Sequence, residues 1–173
     1  IIEPDVFMDP RGFFFKSYSF KKFSALGITD QFVQDNHSRS ERNTVRGLHF
    51  QACPGQVKLI RCTKGRIWDI VVDIRPTSPN FKKWIGYELT DQNFHLIYIP
   101  VGFAHGFSVL SEYADVEYKV SNYYDAAIER GFQWNDPEVG VDWRVETPIL
   151  SKRDVSNPTL EGLLEKLPDP FAV

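Results

Sequence analysis

Short runs of Val, Ile, Tyr, Phe and Trp recur along this chain between clusters of Gly, Pro, Asn and Asp. The turn clusters return every 8–12 residues or so, roughly the spacing that is typical of all-β proteins. The composition agrees, because a chain of 173 residues of which 42% are hydrophobic can bury one sizeable core. We therefore predict a single all-β domain over residues 1–173, folded as a jelly-roll β-barrel or β-sandwich.

Nine strands are predicted where the β-favouring runs fall. They cover residues 12–18, 32–38, 44–51, 56–63, 66–74, 83–90, 95–100, 103–110 and 114–120. Lys64 and Gly65 form a two-residue turn, which predicts a hairpin between the strands on either side of it. Two short peripheral helices are predicted, over residues 20–26 after the N-cap Ser19 and over residues 159–167.

Charge and apolar patterning exclude several classes of partner. The formal net charge is -3 and the basic residues are scattered, so a nucleic-acid partner is not expected. The longest apolar run, 67–74, contains Asp69 and Asp73 and is far shorter than the ~20 residues of a membrane helix. Cys53 and Cys62 form no CxxC pair and are expected to be small core residues. Together with the lack of a signal-peptide pattern, they favour a cytoplasmic protein that makes no membrane contact.

Strict alternation places polar side chains among inward-facing hydrophobic residues. The inward sets on two strands are Phe103, His105, Phe107 and Val109, and Val116, Tyr118 and Val120. On a third strand Lys58 shares a face with Ile60 and Cys62. A buried ammonium is costly, so this position indicates a cavity whose function requires positive charge. The alternative is that the strand is shifted by one residue and Lys58 lies outside.

Arg46 and His49 fall on opposite faces of a regular strand, but Gly47 between them indicates a bulge that turns both side chains toward one cavity. Upstream, Gln34 and Asn36 share a face and offer amides for hydrogen bonding. Each of these residues alone could be a satisfied polar residue of the core. A cavity that combines His, Lys, Tyr, Arg and two amides favours a functional site.

The segment from Pro100 to Gly106 has the PxGxxH spacing of the second cupin motif, with His105 as its histidine. Metal-binding cupins carry two alternating histidines and a downstream Glu in the partner motif. Here that place holds His49 and then Gln51, with no Glu at a suitable distance. This is a poor ligand set for Fe, Mn or Zn, and we expect a metal-free barrel.

Several long motifs occur in order along nearly the whole chain. They are DPRGFF at 9–14, VQDNHS at 33–38, VRGLHF at 45–50, VKLIR at 57–61, DIVVDIR at 69–75, IP at 99–100, GFAHGF at 102–107, YK at 118–119, NYY at 122–124 and LSKRD at 150–154. Through them the chain resembles the nucleotide-sugar 3,5-epimerases of the dTDP-4-dehydrorhamnose 3,5-epimerase family. The resemblance implies a cupin-like jelly roll that needs no cofactor and forms a homodimer with exchanged N-terminal strands.

The resemblance also implies an activity, the epimerisation at C3, C5 or both of a nucleotide-linked 4-keto-6-deoxy sugar. The expected conversion is from dTDP-4-dehydro-6-deoxy-glucose to dTDP-4-dehydro-rhamnose. In this reading His49 is the general base, Asp154 orients it, Lys58 stabilises the enolate oxygen and Tyr118 is the general acid. A base on one face of the sugar and an acid on the other are the minimum that inversion needs.

The remaining implied positions bind the nucleotide-diphosphate sugar. Arg46 and Arg153 hold the diphosphate, and the other binding residues are Arg11, Gln34, Asn36, His105, Tyr124 and Glu129. Tyr124 is also the alternative to Tyr118 as the acid. The family usually has Glu where this chain has Lys16. This reversal of charge leaves the identity of the substrate's nucleotide base and of its sugar undecided.

Two readings from other classes remain open beside the epimerase. A metal-dependent cupin oxygenase or isomerase would share the fold but would contain bound iron, manganese or zinc. A non-catalytic sugar-binding jelly roll would use the aromatic residues as stacking surfaces and would bind without exchanging protons.

Overall fold

The computed structural model describes residues 1–164, in which eleven strands and three short helices follow one another. In chain order they are β1 (Phe7–Asp9), β2 (Gly12–Phe14), α1 (Phe20–Ala25), β3 (Gln34–Glu41), β4 (Val45–Gln51), β5 (Lys58–Lys64), β6 (Arg66–Asp73), β7 (Trp84–Thr90), β8 (Leu96–Ile99), β9 (Phe103–Val109), β10 (Tyr113–Val120), β11 (Glu129–Gly131), α2 (Lys152–Ser156) and α3 (Leu160–Leu164).

Most strands belong to two antiparallel sheets, and β1 and β2 form a separate hairpin. The first sheet has the order β3-β10-β5-β8 and the second the order β11-β4-β9-β6-β7. Alternate residues of both sheets meet in one apolar cluster, in which Ile60 and Val116 of the first pack with Ile67, Phe107 and Val109 of the second. The two sheets therefore face each other across a shared core, as the predicted jelly roll requires.

The predicted hairpin at Lys64 and Gly65 is wrong. β5 pairs with β10 and β8 in the first sheet, whereas β6 pairs with β7 and β9 in the second. The turn therefore carries the chain from one sheet to the other. Gly65 allows this corner because its φ is +79° and because a Cβ there would lie 2.3 Å from the carbonyl oxygen of Tyr113.

Other differences from the predicted elements are local. β1, β11 and α2 were not predicted, and the strand expected over residues 12–18 ends at Phe14. Helix α3 occupies part of the predicted 159–167, and Leu167 lies outside the described residues. Cys62 is in the core as expected, but Cys53 lies in the loop after β4 and is exposed. The single domain over residues 1–173 stays a prediction.

Within residues 1–164, none of the helices has the length and apolar character needed to cross a membrane.

Candidate active site

A cavity of about 600 Å³ opens between the two sheets and contains most of the predicted site. Of the twelve predicted site residues, eleven line it: Gln34, Asn36, Arg46, His49, Lys58, His105, Tyr118, Tyr124, Glu129, Arg153 and Asp154. The first sheet contributes Gln34, Asn36, Lys58 and Tyr118, and the second contributes Arg46, His49, His105 and Glu129. The remaining lining residues of this group come from α2 and from the loop after β10.

Gly47 is what brings Arg46 and His49 into the same cavity. The pairing of β4 with β9 shifts register between these two residues, and Gly47 has a φ of +139°. A Cβ at this position would lie 2.6 Å from the Cα of Gly106 on β9. Only glycine fits this close approach, so the predicted irregularity is confirmed.

His49 and Asp154 form a close ionisable pair in the cavity. Nε2 of His49 donates to Oδ1 of Asp154 over 2.5 Å, and only 3% of Asp154 is exposed. Burial by itself raises the pKa of Asp154. The hydrogen bond from His49, that from Ser151 and the charge of Arg153 together outweigh it and hold the pKa below its usual value. Asp154 is therefore ionised at neutral pH and fixes the tautomer of His49 with Nδ1 facing away from it.

Lys58 faces inward beside Ile60 and Cys62, as alternation predicted. Burial lowers the pKa of its ammonium to about 8, against the opposing influence of Glu129 and Asp69. The group is therefore mostly charged at pH 7.

His105 forms a second histidine–aspartate pair deeper in the fold. Its Nε2 lies 2.9 Å from Oδ2 of Asp69, and both residues are buried. Burial lowers the pKa of His105, and Asp69 opposes that shift without cancelling it. The ring is therefore neutral at pH 7.

Tyr118 enters the cavity from the sheet opposite His49. Burial raises the pKa of its hydroxyl, and the positive charge of Arg46 acts in the other direction. The guanidinium of Arg46 is held at Nε by the hydroxyl of Ser40 over 2.9 Å. A tyrosine that stays protonated and lies near a fixed cation can donate a proton to the cavity.

The mouth of the cavity is a network of polar side chains. Gln34 donates to Oδ1 of Asn36 over 2.8 Å and accepts from the backbone N–H of Tyr124 over 3.3 Å. Arg153 forms an ion pair with Glu129. Tyr124 is 55% exposed, and its hydrogen bond to Glu129 raises its pKa. Tyr124 is therefore a residue of the rim, whereas Tyr118 lies inside.

Arg11 is the predicted site residue that does not line the cavity. It lies at the turn between β1 and β2, where its side chain is exposed and ion-paired with Asp9. Lys16, which follows β2, is also exposed. A role for either residue in binding would require another chain to approach this hairpin.

No group of three or more His, Cys, Asp and Glu side chains among residues 1–164 is arranged to hold a metal ion. The expected metal-free site stays a prediction.

Several residues of the site were not predicted, and three of them carry a recognisable sequence signal. Gln51 lines the cavity at the position where metal-binding cupins have a second histidine. Asp69 interrupts an apolar run, a pattern that signals a buried charge with a partner. Ser151 lies three residues before Asp154, and this Ser-x-x-Asp spacing indicates a helix start that could have been found.

Comparisons with known proteins extend over the same residues. The family model of dTDP-4-dehydrorhamnose 3,5-epimerase matches residues 1–162. The dTDP-4-dehydrorhamnose 3,5-epimerase of Escherichia coli (strain K12) is 48% identical over 167 residues, which cover 95% of this chain and 90% of that protein. A dTDP-4-dehydrorhamnose 3-epimerase of Streptomyces niveus is 41% identical over 155 residues, 88% of this chain and 75% of that protein.

Among solved structures, the chain is similar to a dTDP-6-deoxy-D-glucose-3,5-epimerase from Legionella pneumophila Philadelphia 1 in complex with dTDP-4-keto-L-rhamnose. The TM-score is 0.93 and the identity 43%, and the match covers 98% of this chain and 92% of that one. This agreement confirms the predicted cupin-type jelly roll with short helices at its periphery.

Proposed function

The chain belongs to the dTDP-4-dehydrorhamnose 3,5-epimerase family, and we infer from this that it is an isomerase acting on a dTDP-linked 4-keto-6-deoxy sugar. It epimerises C3, C5 or both by removing a proton and returning one to the opposite face. The observation that supports this most directly is the convergence of His49 and Tyr118, from opposite sheets, on one cavity with Lys58. A 4-keto group acidifies both neighbouring C–H bonds, so the reaction needs only a base, an acid and a stabilised enolate.

In this proposal His49 is the base. Nε2 is engaged by Asp154 at 2.5 Å, so Nδ1 is the nitrogen that takes the proton from the sugar carbon. The ring then carries a positive charge, which the ionised Asp154 stabilises at short range. His is suited to this step because its unperturbed pKa lies close to neutrality.

Tyr118 is the proposed acid, and Lys58 is the proposed partner of the enolate oxygen. As the C–H bond breaks, negative charge moves to the C4 oxygen. A positioned cation in an apolar setting stabilises it without reorganisation, by roughly 3–4 kcal/mol in comparable cases. Tyr118 then donates its phenolic proton to the carbon from the other sheet. The resulting phenolate takes a proton from water and His49 releases its proton to water, which restores both groups.

Arg46 and Arg153 are the proposed diphosphate ligands, since a guanidinium matches a phosphate with two parallel hydrogen bonds. Both residues line the cavity, and Arg46 is fixed by Ser40 in advance of binding. Arg153 would exchange part of its contact with Glu129 for the phosphate. The amides of Gln34 and Asn36 and the rings of His105 and Tyr124 complete the binding surface for the sugar and the base.

The protein is also proposed to be a homodimer with exchanged N-terminal strands. The hairpin of β1 and β2 supports this, because Phe7, Met8, Phe13 and Phe14 are between 57% and 70% exposed. A short hairpin with exposed apolar side chains is only marginally stable in water unless a second surface covers it. Exchange would carry Arg11 toward the cavity of the partner.

A chain that lacks residues 1–18 is then expected to be monomeric by sedimentation, and a dimer of that variant would refute the exchange.

Both cysteines are free, which supports the proposed cytoplasmic location.

Deuterium incorporation tests the proposed activity. We expect dTDP-4-dehydro-6-deoxy-glucose in D₂O to acquire deuterium at C3, C5 or both as the inverted sugar accumulates. Proton NMR measures both the loss of the C–H signals and the new configuration. Other nucleotides and 4-keto sugars in parallel determine the specificity that Lys16 leaves open. Binding without any exchange would identify a non-catalytic relative, and activity lost on removal of bound metal would favour the cupin metalloenzymes.

A further inference from the structure

Ser151 is the N-cap of helix α2 and contacts Asp154 twice. Its hydroxyl donates to Oδ2 of Asp154 over 2.7 Å. The backbone N–H of Asp154 donates to the same hydroxyl oxygen over 3.1 Å. One contact therefore caps the helix and the other is made to the carboxylate itself.

The two oxygens of the Asp154 carboxylate have different partners. Oδ1 accepts from Nε2 of His49, and Oδ2 accepts from Ser151. The plane of a carboxylate is fixed when both of its oxygens are held, whereas a single hydrogen bond leaves it free to rotate. Because Asp154 is only 3% exposed, solvent has little access to take the place of the hydroxyl.

We propose that Ser151 is a positioning residue for the epimerisation, whose hydroxyl orients Asp154 and thereby aims Nδ1 of His49 into the cavity. The inference rests on the proposed function, in which His49 is the base. Ser151 thereby joins His49 and Asp154 as a third residue of the base, although it does not itself contact the sugar.

The charges around Asp154 are consistent with this role. His49 faces it from β4, and Arg153, on the same helix, is itself paired with Glu129 of β11. A hydroxyl that donates to an ionised carboxylate stabilises the ionised form without adding charge. Loss of the hydroxyl would therefore raise the pKa of Asp154, so the ionised carboxylate that orients His49 would be lost at a higher pH.

The competing explanation is that Ser151 only caps α2. Three variants separate the two roles. Ser151→Ala removes both contacts, and Ser151→Thr retains both. Ser151→Asp can still accept from the backbone N–H of Asp154, as Asp does at many N-caps, but its ionised carboxylate donates nothing to Oδ2 and repels it.

The experiment measures kcat and KM for the 4-keto sugar nucleotide from pH 5 to pH 9, with thermal unfolding of each variant. For Ser151→Ala we expect kcat to fall about tenfold, the order expected for one hydrogen bond to a charged group, with KM nearly unchanged. The acidic limb of kcat should move to higher pH. Ser151→Thr should recover most of the activity, and Ser151→Asp should lose at least as much as Ser151→Ala although it caps the helix.

Ser156→Ala is the matched control, because Ser156 lies in the same helix and, within residues 1–164, its hydroxyl donates to the carbonyl of Arg153 alone, over 3.1 Å. An unchanged pH profile and kcat in Ser151→Ala, or full activity in Ser151→Asp, would overturn the inference. If Ser151→Ala does not fold, Ser151→Gly, which an N-cap tolerates nearly as well as Ser, is compared with Ser151→Thr in its place. A wild-type protein that epimerises no 4-keto sugar would instead refute the proposed function.

Discussion

His49 and His105 lie directly opposite each other on β4 and β9, and each binds an aspartate through Nε2. The surroundings of the two pairs differ. The side chain of His49 is 24% exposed toward the cavity, and both oxygens of its aspartate are held. His105 is buried, and Oδ1 of its partner Asp69 has no hydrogen-bond partner in residues 1–164.

The difference shows that a histidine–aspartate pair is not by itself a base. A base gains a proton during the reaction, so its ring must reach the substrate and its surroundings must tolerate the new charge. Burial lowers the pKa of His105 and keeps the ring neutral. His49 meets both requirements, whereas His105 is suited to holding Asp69 near Lys58 and to lining the cavity.

Alanine substitution should separate the two histidines most strongly. We expect His49→Ala to lower kcat by about 10³-fold, within the usual weight of general base catalysis. The loss of stability should be small, because Ser151 still holds Oδ2 of Asp154 and cavity water can take the place of the imidazole at Oδ1. His105→Ala should instead destabilise the fold by on the order of 3 kcal/mol, because it leaves a buried carboxylate unpaired. Turnover and thermal unfolding of both variants check this, and equal loss of stability in the two would contradict the distinction.

Gly131→Ala should displace the base. A Cβ at this position would lie 2.9 Å from Cδ2 of His49 and 2.8 Å from Nδ2 of Asn157, so the imidazole must shift. A misplaced catalytic group costs about 10²-fold in rate. Gly140→Ala is the control, since a Cβ there meets nothing within 4 Å although its φ of +62° adds some strain. Wild-type turnover in Gly131→Ala would show that His49 tolerates movement.

The pH dependence of turnover should reflect the ionisation of Lys58 and not that of His105. With a pKa of about 8, the ammonium is charged below that pH and neutral above it. We therefore expect kcat/KM to fall about tenfold between pH 7 and pH 9. Lys58→Arg stays charged throughout this range and should lack the decline, even if it is slower at pH 7. If the decline persists in Lys58→Arg, a group other than Lys58 causes it.

The inward positions of the strands were predictable from the sequence. A period of two places Lys58 with Ile60, and Gly47 signals the irregularity that joins Arg46 to His49. These rules hold because one face of each strand is buried, so a shift of register would expose its core residues.

Contacts between distant elements were not predictable in this way. The turn at Gly65 was recognised, but a turn signal does not say whether the next strand stays in the same sheet. Alternation says nothing about Asp154, which lies on a short helix 105 residues after His49. Its place beside the base was implied by family resemblance alone.

The central claim is that base and acid approach the sugar from opposite sheets, and Tyr118→Phe in D₂O tests it most directly. Without the acid, His49 can still remove a proton and return a deuteron from solvent to the same face. We predict deuterium in recovered substrate of unchanged configuration, while inverted product falls by about 10²-fold or more. Near-normal epimerisation by Tyr118→Phe, together with exchange lacking inversion in Tyr124→Phe, would contradict the claim and make Tyr124 the acid.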